Sequence, residues 1–85
     1  YKYFTIITDK PQEIYSYITD VLHRGATIYQ AEGLYQHKDK TVILTAQDKK
    51  QAIHLQEVIR QKDPHAFVLV TNTSEVIGKG FRGGN

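Results

Sequence analysis

The densest cluster of groups able to do chemistry lies near the C-terminus, where Lys79 and Arg82 stand among Gly78, Gly80, Gly83 and Gly84. Glycines let successive backbone N–H groups converge on one point, and two neighbouring cations would complement a phosphate or carboxylate held there. Lys79, Gly80, Phe81 and Arg82 are therefore candidate ligand-binding residues, for a small anionic effector. The stretch is not a P-loop, which needs Gly-x-x-x-x-Gly-Lys-Ser/Thr. A structural reading competes: the glycines make turns, Val76 and Ile77 add a short strand to a sheet, and Phe81 covers apolar surface. The turn Arg24-Gly25-Ala26-Thr27 is the other candidate. Arg24 could reach an acidic ligand and Thr27 supply a hydroxyl, or a helix could end on Gly25 and hand over to a strand.

Other reactive side chains are scattered. His23, His37, His54 and His65 include no pair at the i, i+4 spacing of a helical metal site, so structural or solvated histidines are expected and no metal. There is no cysteine, which removes thiolate ligands, thiol nucleophiles and disulfides. Glu13, Glu32, Glu57 and Glu75 fall on separate elements, and no local motif marks a Ser-His-acid arrangement. The expectation is a protein without catalytic residues or a cofactor, and not an enzyme. Six tyrosines could stack bases, but Thr41 to Ala46 lacks the aromatic run of an RNA-recognition strand, and the net charge is only +2. No nucleic-acid partner is expected; the rings are read as covering a sheet face or an interface between copies.

The elements that must position these groups can be read from periodicity. Lys2 to Thr8, rich in Tyr, Phe, Thr and Ile, reads as a strand. Asp9, Pro11 and Gln12 form a helix-start signature, and Ile14, Tyr17, Ile18, Val21 and Leu22 come after it as one apolar stripe. Gly25 is the expected left-handed stop. Ala26 to Tyr35 reads as a second strand with a bulge or close approach at Gly33, then a polar tip at Lys38-Asp39-Lys40. Thr41 to Ala46 is a third strand, apolar on both faces through Val42, Ile43 and Leu44 and hence central. Asp48 and Gln51 repeat the cap spacing before a second stripe of Ala52, Leu55, Val58 and Ile59, which Asp63-Pro64 ends. Ala66 to Thr71 is a fourth strand, expected at a sheet edge, and residues 72–85 form a Gly-rich tail.

Residues 1–85 thus read as one α+β domain, a ferredoxin-like βαββαβ sandwich with two helices on one face of a four-stranded antiparallel sheet. A domain this short buries only about 60–65% of its unfolded surface, so association with copies of itself or with a longer chain would stabilise it. No apolar run approaches the ~20 residues of a membrane span. The chain opens on a strand pattern at Tyr1 and not on methionine, which suggests a piece of a longer protein.

Arg24-Gly25-Ala26-Thr27, Gly33-Leu34-Tyr35, Asp63-Pro64-His65-Ala66-Phe67-Val68 and Glu75-Val76-Ile77-Gly78-Lys79-Gly80-Phe81 succeed one another in an order and spacing that resembles the C-terminal domain of YitT-type bacterial membrane proteins. The resemblance implies a multi-pass membrane parent in the cell membrane, with this domain as its soluble, cytoplasmic part. It also implies similarity to the GlnB or PII-like superfamily, whose members often form trimers and bind effectors between subunits. The resulting expectation is a regulatory or sensory ligand-binding module, with Arg24, Thr27, Lys79, Gly80, Phe81 and Arg82 as its site. The alternative is a self-assembly domain without a ligand.

Overall fold

The computed structural model describes residues 1–33 and 38–73. Strand β1 (Lys2–Thr8) buries Phe4, Ile6 and Thr8 and leaves the alternate residues more open, the period of two that a strand imposes. Helix α1 (Pro11–Ser16) has proline in its first turn, where the missing N–H costs nothing. Its cap is Lys10, without a side-chain cap bond, and not Asp9. The corner is fixed from elsewhere: the Asp9 N–H donates to Asp63 Oδ2 (3.2 Å) and the Lys10 N–H to Thr8 Oγ1 (2.9 Å). That leaves the Asp9 carboxylate one residue outside the helix, paired with Lys40 at 3.2 Å.

The helix then widens into a π-helical turn, Tyr17–Val21, in which the Leu22 N–H reaches the Tyr17 carbonyl at 3.1 Å. The extra residue per turn rotates the later side chains about the helix axis. Ile14 and Ile18 stay buried and Tyr17 and Leu22 pack on the core, but Val21, counted into the stripe by a 3.6-residue period, is exposed. The stop also moves. The left-handed residue is His23 (φ 56°), two positions before Gly25, and the Arg24 N–H closes the end on the Ile18 carbonyl at 3.0 Å. The wide turn ends helical bonding early, so the reversal falls immediately after Leu22.

Strands β2 (Thr27–Gly33), β3 (Lys38–Gln47) and β4 (Phe67–Asn72) complete an antiparallel sheet of order β2-β3-β1-β4. β3 is central and β4 an edge, as their sequences imply. β2 and β3 pair without interruption from Thr27↔Leu44 to Gly33↔Lys38, so Gly33 is not a bulge, and Lys38, Asp39 and Lys40 belong to β3 and not to a tip. The connection between them lies outside the described residues, as does the short strand expected at Val76 and Ile77.

Helix α2 (Lys49–Lys62) starts as its sequence predicts. Asp48 Oδ1 accepts from the Gln51 N–H (2.7 Å) and Gln51 Oε1 from the Asp48 N–H (3.2 Å), a reciprocal capping box. Both helices lie on one face of the sheet. Phe4, Ile6 and Ile43 from the strands, Ile14 and Ile18 from the first helix and Ala52, Leu55 and Ile59 from α2 make one continuous core.

Candidate functional site: an apolar sheet face and the edge beside it

The six residues singled out in sequence do not share one place. Arg24 is turned towards α2: its Nε donates to Gln51 Oε1 at 3.0 Å and its Nη2 lies 3.7 Å from Asp48 Oδ2. Gln51 Nε2 donates in turn to the Leu22 carbonyl at 3.3 Å. Arg24 and Gln51 therefore form a joint between the end of the first helix and the start of the second. Thr27 is an exposed residue of β2 opposite Leu44, on the sheet face turned away from the helices. Arg24 and Thr27 are not brought together. Lys79, Gly80, Phe81 and Arg82 lie outside the described residues.

Register shows what the second face of the sheet carries. Phe4, Ile6 and Ile43 point into the core, so their neighbours point the other way. Tyr29, Val42, Ile7 and Phe67 form one row across all four strands, and Thr27, Leu44, Thr5 and Leu69 form the next. Tyr3 stands in a third row between Ala46 and Thr71. No described element covers this face. Val42 is buried in the middle of its row, but Phe67 is 56% exposed, Leu69 52%, Tyr29 46% and Tyr3 38%. With roughly 150–250 Å² per large side chain, that leaves on the order of 400 Å² of aromatic and aliphatic surface. Patches of that size on a small domain are often functional. Of the tyrosines read as covering a sheet face or an interface, Tyr3 and Tyr29 stand on this face, whereas Tyr15 and Tyr17 belong to the first helix, with Tyr17 packed on the core, and Tyr35 lies outside the described residues. Phe67 and Leu69 were not legible as members of this face, because the unbroken apolar run Phe67-Val68-Leu69-Val70 does not say which members face the helices.

Beside this face, on the helix side of β4, lies a cleft of about 290 Å³ between α2 and the strand. Ala66, Val68, Val70 and Ile59 make its apolar lining, with Gln56 and Arg60 on the helix. At its end sits Asp63, whose carboxylate is satisfied by Thr8 Oγ1 (2.7 Å) and by the Asp9 and His65 N–H groups. Among the described residues no group of histidines and acids could hold a metal ion, and no helix is long and apolar enough to cross a membrane.

A four-stranded antiparallel sheet of this order, with both helices on one face, defines a ferredoxin-like α+β domain. The chain belongs to the family described as "Uncharacterized protein conserved in bacteria (DUF2179)", whose model matches residues 24–78. It is similar to the UPF0750 membrane protein YpjC of Bacillus subtilis (strain 168), 38% identical over 77 residues that make up 91% of this chain and 27% of YpjC. It is also similar to the UPF0750 membrane protein YitT of the same organism, 26% identical over 86% of this chain and 26% of YitT, which bears out the resemblance to YitT-type proteins. The crystal structure of a DUF2179 protein from Eubacterium ventriosum superposes with a TM-score of 0.68 at 26% identity, covering 82% of this chain and 96% of that one. The chain spans about a quarter of the length of these two membrane-protein relatives.

Proposed function

We propose that the domain is an assembly module through which copies of a UPF0750-type membrane protein associate on the cytoplasmic side of the membrane. The observation that carries this reading is the apolar sheet face, with Tyr3, Tyr29, Phe67 and Leu69 exposed in adjoining cross-strand rows. Burying that surface between copies removes an unfavourable contact with water, and it adds apolar burial to a domain whose own core is small. The effector-binding reading has less support: Arg24 is committed to Asp48 and Gln51, and Thr27 faces the other way.

Light scattering of the 85-residue chain over a range of concentrations tests the proposal. A mass above the monomer that rises with concentration is expected, lowered by Tyr29→Lys or Leu69→Lys at unchanged circular dichroism. A strict monomer at high concentration overturns it. A panel of nucleotides and phosphorylated metabolites that raises the melting temperature of a monomer would favour the effector reading instead.

A further inference from the structure

We infer that strand β4 is the contact edge, pairing antiparallel with β4 of a second copy about a two-fold axis at Val70. The inference rests on the reading that copies assemble and adds a contact at the edge beside the apolar face, which that contact leaves open for a further copy.

The ladder decides which backbone groups are available. The Tyr1 ammonium donates to the Thr73 carbonyl (3.0 Å) and the Thr73 N–H to the Tyr1 carbonyl (2.9 Å). Tyr1–Thr73 is thus a pair that exchanges both bonds. Antiparallel ladders alternate, so Tyr3–Thr71, Thr5–Leu69 and Ile7–Phe67 are bonded pairs too. The N–H and C=O groups of Val68, Val70 and Asn72 then point away from β1, to the side where no described strand lies. With the axis at Val70, Val70 meets its own copy and Val68 meets Asn72, each pair exchanging two bonds.

Three further observations favour a second β4 as the occupant. The strand reads Phe-Val-Leu-Val-Thr-Asn, with no charge, proline or glycine. Edges that must stay alone carry such devices. The opposite edge, β2, carries Glu32 and Gly33. Secondly, the side chains that would accompany the outward amides, Val68 and Val70, line the cleft against α2. A partner's valines arriving on the same face would meet an apolar space and not a wall. Thirdly, pairing at β4 leaves the apolar face open and joins two such faces into one eight-stranded surface of roughly 800 Å², about what one partner buries in a stable interface.

The chain has no cysteine, so single cysteines can be scanned along the strand without background. Phe67→Cys through Asn72→Cys, with Gln30→Cys on β2 as the control edge, are oxidised in the 85-residue chain and read on non-reducing gels. A bonded antiparallel pair sets Cα atoms about 5.5 Å apart, within disulfide range, while a residue two positions off the axis lies about 13 Å from its own copy. Val70→Cys should therefore give on the order of ten-fold more covalent dimer than Val68→Cys or Asn72→Cys. A flat profile, or a maximum at Gln30→Cys, overturns the inference. So does an intrachain link in the double variant Val70→Cys/Val76→Cys, which would make residues after Thr73 the occupant of the edge. If light scattering still shows a multimer while the scan stays flat, the assembly reading survives and the β4 contact does not.

Discussion

Thr8 Oγ1 donates to Asp63 Oδ2 at 2.7 Å, joining the last residue of β1 to the residue that ends α2 across 55 positions of sequence. The same hydroxyl accepts from the Lys10 N–H, so one threonine holds the corner from which the first helix starts.

That corner sets a pH dependence. The Thr8 hydroxyl holds the Asp63 carboxyl below its ordinary value of 3.8, helped by the Asp9 and His65 amides and the charge of His65, against burial, which pushes it up. A carboxyl that ionises more readily in the folded state binds fewer protons there than in the unfolded chain. Its stability contribution is full above the unfolded value near 3.8 and is lost as pH falls through the lower folded value. The melting temperature should stay level from neutral pH to about 5 and fall below about 4. Asp63→Asn should cost about 1–3 kcal/mol at pH 7 and flatten the acid limb. Melts of both proteins across pH check this; an unchanged acid limb in Asp63→Asn would show that another carboxylate governs it.

Arg24 and Gln51 should be coupled. Gln51→Ala removes half of the capping box, the donor to the Leu22 carbonyl and the acceptor of Arg24, and should cost about 1–2 kcal/mol. Arg24→Ala should cost about 0.5–1.5 kcal/mol, since its side chain is largely buried against α2. Because each loses the same contact, the double variant should be less destabilised than the sum by about 0.5 kcal/mol or more. Urea titrations of the four proteins give the cycle. Full additivity would mean that the two side chains act apart.

These two corners show which parts of the molecule are legible in sequence. Asp48 and Gln51 are a local device: cap and partner sit three apart, the helix between them supplies the geometry, and the box forms as read. Asp9 and Gln12 have the same spacing, yet Thr8 and Asp63 take over the Asp9 and Lys10 amides from across the fold, and no local pattern encodes that. The strand order was legible because Val42-Ile43-Leu44 is apolar on both faces, and the βαββαβ order sends the fourth strand, read at Ala66 to Thr71, to an edge. Which side of β1 faces the helices was not, since Phe4 and Ile6 alternate with Tyr3 and Ile7, all apolar enough for either face. The site suffered most. Arg24 beside a glycine looks the same in sequence whether it waits for an anion or bridges two helix ends.

The π-helical turn separates two residues that the sequence treats alike. Ile18 is fully buried among Ile14, Leu55 and Phe4, whereas Val21, one nominal turn later, is exposed. Ile18→Ala should cost about 2–5 kcal/mol, enough to unfold much of a domain this small. Val21→Ala should stay within about 0.5 kcal/mol of the parent. Thermal melts decide it: a loss at Val21 as large as that at Ile18 would mean that the helix keeps its 3.6-residue period to the end.

The residue that ends the first helix gives the sharpest single test of how the chain leaves it. His23 holds φ at 56°, where its Cβ crowds the carbonyl, a conformation costing a non-glycine residue about 1–2 kcal/mol. Glycine takes it freely but gives back part of the gain through the larger entropy of the unfolded chain. His23→Gly should therefore raise stability by about 0.5–1 kcal/mol, or a few degrees in melting temperature for a domain of this length. The gain should survive in Arg24→Ala, because the strain is in the backbone and not in the joint with Gln51. A loss of stability in His23→Gly would mean that the imidazole itself holds the helix end, and the cause of the stop would then be that side chain and not backbone geometry.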